Sequence, residues 1–181
     1  MPRYAAFLRA VNLGSTNKAS KEQLREAFEG AGLENVSPFR TSGNVVFECG
    51  RETAGKLTTR IETALAEGLG FDVPVFLRGE KQLLEIACAK PFATAAVESS
   101  KGKLQVALLQ GSPSAATQKK VLALSTDQDL LAFGEREMFW LPSGGTQKSE
   151  LDQKAIAKLT GPQTARTMGT IEAIAKKFFG A

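Results

Sequence analysis

A loop near the start of the chain carries the residues best suited to binding an anion. Arg9 and Asn12 precede a polar run from Gly14 to Lys18, and a helix is predicted to begin at Ser20. Backbone N–H groups at a helix N-terminus point outward and favour negative charge, and arginine, lysine and hydroxyl side chains add hydrogen-bond donors. We therefore predict a phosphate or carboxylate site in this loop. Its residues are Arg9, Asn12, Gly14, Ser15, Thr16 and Lys18.

The polar run differs from the phosphate-binding loop of nucleotide hydrolases. That loop has the pattern GxxxxGK[ST], in which glycine N–H groups and the lysine hold the phosphates. In GSTNKAS the second glycine is missing and Lys18 stands in a different register. Nucleotide hydrolysis of that type is therefore not predicted. An ordinary polar connection before a capped helix stays open as the alternative.

A second cation, Arg166, stands among three threonines just before the last predicted helix. One interpretation makes Arg166 a second contact to the anion. The other makes a threonine the helix cap and leaves the arginine in solvent. Helices at residues 149–159 and 167–179 also have the outline of a helix-turn-helix, a motif that reads the DNA major groove. DNA binding through these helices is a further alternative.

The first strand raises the possibility of an RNA-binding sheet. Arg9 alternates with Phe7 and Val11, which predicts that the three side chains share one face of the strand. Phe47 on a neighbouring strand could stack on an RNA base. That strand lacks the basic-glycine-aromatic pattern typical of such sheets. We therefore expect these residues to be core residues under the second half of the chain instead.

The composition excludes several kinds of active site. The 181 residues include no histidine, which removes serine–histidine and cysteine–histidine nucleophiles and the common zinc sites. Any chemistry would use carboxylates, lysine, hydroxyls or a bound cofactor, whose identity is unknown. Cys49 and Cys88 fit neither a metal-ligand spacing nor a disulfide framework, and they are predicted to be ordinary reduced residues. Acidic pairs such as Asp127 and Asp129 are interpreted as solvated surface.

The net charge of +4 is unevenly distributed. Residues 101–181 carry 11 basic and 7 acidic side chains and so contain the whole excess, which favours an anionic partner. No apolar stretch approaches the ~20 residues that a membrane span requires, and the N-terminus lacks the apolar segment of a signal peptide. We therefore expect a cytoplasmic protein with no membrane partner.

The first half of the chain has the element order β-α-β-β-α-β. Ser20-Lys21-Glu22-Gln23 has the form of a capping box and opens the first helix, and apolar residues at helical or alternating spacing mark the other elements. The predicted elements are a strand at 3–10, a helix at 20–31, a hairpin at 36–40 and 44–48, a helix at 57–69 and a strand at 73–78. This order is ferredoxin-like, with helices on one face of an antiparallel sheet.

The second half repeats the opening of that order. A strand at 103–109, a helix that starts at Ser112-Pro113 and a hairpin at 129–133 and 138–141 form a β-α-β-β unit. Two helices follow, divided by Gly161-Pro162. We predict an α+β protein with a helical C-terminus. Its parts are a ferredoxin-like subdomain at 1–80, a helix and connection at 81–102, and a second α+β subdomain at 103–181.

A polar turn, Ser42-Gly43-Asn44, joins the two strands of the first predicted hairpin. We expect the third strand to end near the loop that carries Lys18 and to start at the far end of the sheet. Asn44 would then be remote from Lys18. The turn is therefore set apart from the anion site, and whether it is functional or structural stays open.

Several segments resemble the bacterial domain-of-unknown-function family numbered 1697. The similar segments are FLRAVNLGSTNKASKEQLREAFEGAGLENV, TSGNVVF, FDVPVFLR, KPF and FGEREMFWLPSGGTQKSEL. The resemblance implies an α+β fold with a ferredoxin-like N-terminal half, and it implies no function. The positions that match the polar residues of the family's motifs are Arg9, Asn12, Gly14, Lys18, Ser42, Gly43, Asn44, Gly144, Ser149 and Arg166.

The chain departs from the family pattern in two places. The closing motif of the family resembles Thr-x-Arg-Asn-Trp, whereas Arg166 is followed here by Thr167-Met168. Ser15 stands where the first loop of the family has a second glycine. A site that needs the Asn-Trp pair would be weakened or retuned in this chain.

The preferred hypothesis is a cytoplasmic binding module for an anionic ligand. The ligand would be a nucleotide-like small molecule or a nucleic-acid backbone. A cofactor-dependent or lysine-dependent enzyme and a protein–protein interaction module are the alternatives. The oligomeric state is not predicted.

Overall fold

The computed structural model describes all residues, 1–181, and the chain forms two compact units. The first unit contains residues 1–85 together with 174–181, and the second contains residues 86–173. Each unit is built around one four-stranded antiparallel sheet. None of the helices has the length and apolar character that a membrane crossing requires.

The first unit has the predicted ferredoxin-like order. Its sheet has the strand order β2-β3-β1-β4, and all neighbouring strands are antiparallel. The elements are β1 (Arg3–Leu8), α1 (Lys21–Gly30), β2 (Glu34–Phe39), β3 (Asn44–Glu48), α2 (Ala54–Leu69) and β4 (Val75–Gly79), followed by α3 (Glu80–Cys88). The predicted α+β class and the ferredoxin-like first half are therefore confirmed.

Local sequence signals set the ends of α1. The hydroxyl of Ser20 accepts from the Gln23 N–H at 3.1 Å, and the Gln23 side chain accepts from the Ser20 N–H at 2.9 Å, so the predicted capping box forms. Leu24, Ala27 and Phe28 are buried on one face of the helix. The helix turns place these apolar side chains against the sheet, and the polar face stays in solvent.

The helix-facing core of the first unit contains Phe47. Its ring stacks on Tyr4 with centroids 5.8 Å apart and meets the edge of Phe28 at 5.4 Å. Phe47 is 0% exposed, so it cannot present a face to a nucleic-acid base. Phe47 is a core residue as expected, but it packs against the helices of its own unit, whereas we expected it under the second half of the chain. Base stacking on Phe47 is excluded.

The second unit has the same arrangement as the first. Its sheet has the strand order β6-β7-β5-β8 and is antiparallel throughout. The elements are α4 (Thr94–Ser99), β5 (Gln105–Leu109), α5 (Ala115–Leu122), β6 (Asp129–Phe133), β7 (Glu137–Pro142), α6 (Gln153–Thr160), β8 (Gln163–Thr167) and α7 (Met168–Ile174). A 3-10 turn at Thr146–Lys148 and a π-helical turn at Ala175–Phe179 complete the chain.

Strand β8 was not predicted from the sequence. It pairs with β5 from Leu109↔Gln163 to Gln105↔Thr167 and separates the two helices that had the outline of a helix-turn-helix, so that motif is excluded. The sequence does not predict this strand because its inward positions are polar. Thr164 and Arg166 are buried at positions where a typical half-buried strand has apolar residues. The Thr167 hydroxyl accepts from the Thr170 N–H at 3.3 Å, so the expected threonine cap exists.

Two helix starts in the second unit differ from the sequence prediction, and one helix was not predicted. The helix expected at Ser112-Pro113 begins at Ala115, where the Ser114 hydroxyl accepts from the Thr117 N–H. The helix expected from Ser149 begins after Asp152, whose carboxylate accepts from the Ala155 N–H. A short helix, α4, occupies part of the predicted connection. In the first two cases a better-placed capping side chain lies a few residues downstream.

Candidate functional site

The chain leaves the sheet directly after β1 and bends sharply. Ala10 and Asn12 have φ of +57° and +59°, in the left-handed region. The strand alternation therefore ends at Leu8, and the expectation that Phe7, Arg9 and Val11 share one face is wrong. Val11 packs in the helix-facing core with Leu8, whereas Arg9 is exposed.

Asn12 fastens the loop that follows. Its Nδ2 donates to the Ala19 carbonyl and to the Thr41 carbonyl, both at 2.9 Å, and its Oδ1 accepts from the Ala19 N–H at 2.9 Å. The Asn12 backbone N–H donates to the Asn17 carbonyl at 3.0 Å. Because both amide protons of the side chain are bound within the protein, Asn12 positions the loop and has no donor left for a ligand.

The hairpin turn at residues 42–44 lies beside this loop. Phe7 pairs with Asn44, and the Leu8 N–H donates to the Gly43 carbonyl at 2.8 Å. The expectation that the turn lies at the far end of the sheet is therefore wrong. Neighbouring antiparallel strands run in opposite directions, so the start of β3 must lie beside the end of β1.

Two residues of the turn have structural reasons for their identity. Gly43 has a φ of +73°, and a Cβ at this position would lie 3.0 Å from the Leu8 Cβ, so a larger residue would be strained. Asn44 is 1% exposed, and its Nδ2 donates to the Phe39 carbonyl and the Ser42 hydroxyl, each at 3.0 Å. These two hydrogen bonds of the Asn44 side chain stabilise the turn.

The backbone donors expected at the start of α1 are largely occupied. The Ala19 N–H binds the Asn12 side chain, the Ser20 N–H binds the Gln23 side chain, and the Gln23 N–H binds the Ser20 hydroxyl. The expectation that backbone N–H groups here point outward to an anion is wrong at these three positions, because the capping box and Asn12 satisfy them. Further donors for an anion are the side chains of the loop.

The loop that follows β1, residues 9–18, carries exposed cationic and hydroxyl groups that bind no other group of the protein. Arg9, Ser15, Thr16 and Lys18 are all exposed. Neither Arg9 nor Lys18 forms an ion pair, whereas Arg3 and Arg60 are paired with Glu48 and Glu52. Gly14 has a φ of +65° and open space around its Cα.

Arg166 belongs to the second unit, on β8. It is 8% exposed, and its Nη1 donates to the Thr164 hydroxyl at 2.9 Å and to the Ala165 carbonyl at 2.8 Å. Burial lowers the pKa of the Arg166 guanidinium to about 10. The alternative of a solvated arginine is therefore wrong. That Arg166 makes a second contact to the anion stays a prediction.

A buried carboxylate in the second unit was missed. Asp129 is 0% exposed, so the solvated interpretation holds for Asp127 but not for its neighbour. Asp129 accepts hydrogen bonds from the Ser149 hydroxyl at 2.6 Å, the Trp140 Nε1 at 2.8 Å and the Thr126 hydroxyl at 2.8 Å. The available signal was the pairing of β6 with β7, which brings Trp140 next to the strand that starts at Asp129.

The hydrogen bonds keep this carboxylate charged. Burial by itself raises the pKa of Asp129, but the bonds from Ser149, Trp140 and Thr126 and from the Glu150 N–H outweigh it, and the net pKa is lowered. All of the donors are groups of the protein. Asp129 therefore holds the segment after β7 in place and does not have the surroundings of an acid or base that acts on a substrate.

The two cysteines are free thiols. Cys49 is buried and its Sγ lies 2.9 Å from the Gly50 carbonyl oxygen, whereas Cys88 is exposed. Burial raises the pKa of the Cys49 thiol. The buried cysteine is therefore less reactive than an exposed one.

Comparison with known proteins gives a family and a fold. A family model described as a protein of unknown function (DUF1697) matches residues 1–139. Among solved structures, a conserved bacterial protein from Streptococcus pneumoniae is similar, with 22% sequence identity, 97% of each chain covered and a TM-score of 0.71. A comparison with curated proteins finds no match. At this identity the similar structure shows the fold alone.

Proposed function

Since the chain belongs to DUF1697, a family of unknown function, we propose a function from its own loop: it is a cytoplasmic binding module for an anionic ligand. Arg9 and Lys18 supply positive charge, and the hydroxyls of Ser15 and Thr16 supply further donors. The ligand is a nucleotide-like small molecule or a nucleic-acid backbone.

The observation that carries this proposal is the absence of any counter-charge on Arg9 and Lys18. Other arginines of the same unit, Arg3 and Arg60, are ion-paired with glutamates. Arg9 and Lys18 are exposed, unpaired and carried by one loop. An anion that binds this loop meets two cations that no carboxylate of the protein neutralises.

The anchoring of the loop supports the same proposal. Asn12 ties the loop to the start of α1 and to the hairpin turn through three hydrogen bonds of 2.9 Å. A loop held at both ends loses less conformational entropy when a ligand binds. Gly14 is open and carries no side chain, so a ligand can approach the backbone there.

The test compares two double variants that remove the same charges. In R9A/K18A the proposed donors are lost, and in R25A/K56A an arginine and a lysine are removed from exposed positions on α1 and α2. Both would be titrated with a nucleotide panel by calorimetry and with labelled single-stranded RNA and DNA by fluorescence anisotropy. We expect R9A/K18A to weaken binding by about tenfold and R25A/K56A to change it by less than about threefold.

The salt dependence separates the two classes of ligand. A nucleic-acid backbone releases counterions on binding, so its affinity must fall steeply with salt. A small anion loses much less affinity over the same range. Equal affinities for wild type and R9A/K18A across both panels would remove the basis of the proposal.

A further inference from the structure

The second unit carries a basic groove. It has a volume of about 400 Å³ and lies between the segment that leads into β5 and the segment that follows β7. Three lysines line it, Lys101, Lys103 and Lys148, together with uncharged groups and no carboxylate. We name it the lysine groove and define it by these three lysines with Gly102, Gly144 and Gly145.

The two walls of the lysine groove are fixed to each other. The Lys101 N–H donates to the Ser143 carbonyl at 2.9 Å. A Cβ at Gly102 would lie 2.1 Å from the Pro142 carbonyl oxygen and 3.1 Å from the Gly145 Cα. Only glycine permits this approach, which brings the lysines of one segment next to Lys148 on the other.

Local hydrogen bonds hold the first wall in its conformation. The Ser100 hydroxyl donates to the Gly102 carbonyl at 2.7 Å and accepts from the Gly102 N–H at 3.2 Å. The Gln105 side chain donates to the Lys103 carbonyl at 2.9 Å. Lys101 and Lys103 therefore extend from a backbone that is already ordered, which lowers the entropic cost of binding a ligand between them.

The charges of the lysine groove are not neutralised by the protein. Lys101, Lys103 and Lys148 are exposed, and none of them forms an ion pair. Three ammonium groups around one open groove repel one another. A ligand with several negative charges turns that repulsion into attraction.

We propose that the lysine groove binds the diphosphate group of a small molecule. Lysine ammonium groups act as point charges for phosphoryl oxygens, and a diphosphate group carries about three negative charges at pH 7, against close to two for a single phosphate monoester. The volume of about 400 Å³ falls in the range of small-molecule sites. The lining contains no aromatic ring, so the groove recognises the diphosphate rather than a stacked base. This site is independent of the loop site in the first unit.

The experiment uses the full chain and inorganic pyrophosphate, with ADP and AMP as further probes. Binding is followed by the amide signals of Gly102, Gly144 and Gly145 in ¹⁵N–¹H spectra, and the affinity is measured by calorimetry. We expect pyrophosphate and ADP to shift these signals with similar affinities, and AMP to bind about tenfold more weakly because it has one phosphoryl group.

Matched variants locate the site. K101A/K103A/K148A should weaken pyrophosphate binding by at least about tenfold, whereas K119A/K120A/K154A, which removes three exposed lysines from α5 and α6, should change it by less than about threefold. R9A/K18A should leave the three glycine signals and the affinity unchanged. Circular dichroism and the midpoint of urea unfolding show whether each variant is folded.

Three results would overturn the lysine-groove proposal. The first is pyrophosphate that shifts none of the three glycine signals. The second is an equal loss of affinity in the two triple-lysine variants, which marks binding by net charge alone. The third is binding of single-stranded oligonucleotides only, with a steep dependence on salt. Loss of binding in R9A/K18A alone would instead place the anion in the first unit and support only the loop site.

Discussion

At the scale of single residues, the polar side chains that look most suited to ligands divide into two groups. In the first group, the side chains form hydrogen bonds with other groups of the protein; its members are Asn12, Asn44 and Asp129. The second group consists of Arg9 and Lys18, which lie on an exposed loop and have no counter-charge. Residue type alone does not separate these groups, since an asparagine that holds a loop and one that binds a ligand offer the same atoms.

Asp129 gives a prediction about pH. The pKa of Asp129 is lowered in the folded protein relative to the unfolded value of about 3.9. Its charged form therefore stabilises the fold above that pH, and the stabilisation is lost as the pH falls through the folded pKa. We expect D129N to lower the free energy of unfolding at pH 7 by about 1–3 kcal/mol, because the amide cannot accept from all three donors.

Urea unfolding between pH 7 and pH 3 checks this prediction. The difference in stability between wild type and D129N should shrink as the pH falls. D127N is the matched control, because Asp127 is exposed two residues away, and it should change the stability by less than about 0.5 kcal/mol. A D129N protein as stable as wild type at pH 7 would contradict the assigned role.

At the scale of elements, the candidate loop and the hairpin turn form one feature. The antiparallel pairing of β1 with β3 brings Asn44 to Phe7, and the Asn12 side chain then bridges the loop to the Thr41 carbonyl. Gly43 allows the close packing of the turn on Leu8. The polar segments that are separated in the sequence thus meet at one end of the first sheet.

A substitution of Asn12 tests whether its side chain holds the loop in place. In N12D a carboxylate oxygen replaces Nδ2, so the bonds to the Ala19 and Thr41 carbonyls are lost and that oxygen faces both carbonyl oxygens. We expect the free energy of unfolding to fall by about 1–3 kcal/mol. Binding of the anionic ligand should weaken as well, because the loop that carries Lys18 is no longer held.

The control for Asn12 is S15A in the same loop. Ser15 is exposed, so S15A should change the stability by less than about 0.5 kcal/mol. Urea unfolding measures the stability, and hydrogen exchange of the Ala19 amide reports on the loop directly. Unchanged protection of that amide in N12D would mean that Asn12 does not hold the loop.

At the scale of the whole molecule, the last residues of the chain return to the first unit. The Arg3 guanidinium donates to the Phe178 carbonyl, and Phe39 meets Phe178 edge-to-face with centroids 5.8 Å apart. The Lys177 ammonium lies 5.5 Å from the centre of the Phe39 ring. The first ferredoxin-like unit is therefore completed by residues that follow the second unit in the sequence.

A double-mutant cycle on Phe39 and Phe178 tests whether the last residues of the chain stabilise the first unit. We expect F178A to destabilise the protein, and the coupling between F39A and F178A to be about 0.5–1.5 kcal/mol, as for other aromatic pairs. The free energies come from urea unfolding. F71A, at a partly buried position of the same unit, is the control, and its effect should add to that of F178A. A coupling of zero would show that the two rings do not stabilise each other.

The amino-acid sequence was enough to predict the element order of the first unit and the α+β class. It did so because capping boxes, helical spacing and alternating strands are local signals, as at Ser20–Gln23 and at β3. It also determined the limits on chemistry, since a chain without histidine excludes a set of mechanisms whatever its fold.

Only the tertiary structure decided which distant segments meet and which polar groups stay free. The polar inward positions of β8 are recognisable as a strand only from their pairing with β5. The meeting of the loop with the Ser42–Asn44 turn depends on strand direction, and the lysine groove depends on the approach of Gly102 to Pro142. Hydrogen bonds between segments far apart in sequence set these features, and local propensity carries no information about them.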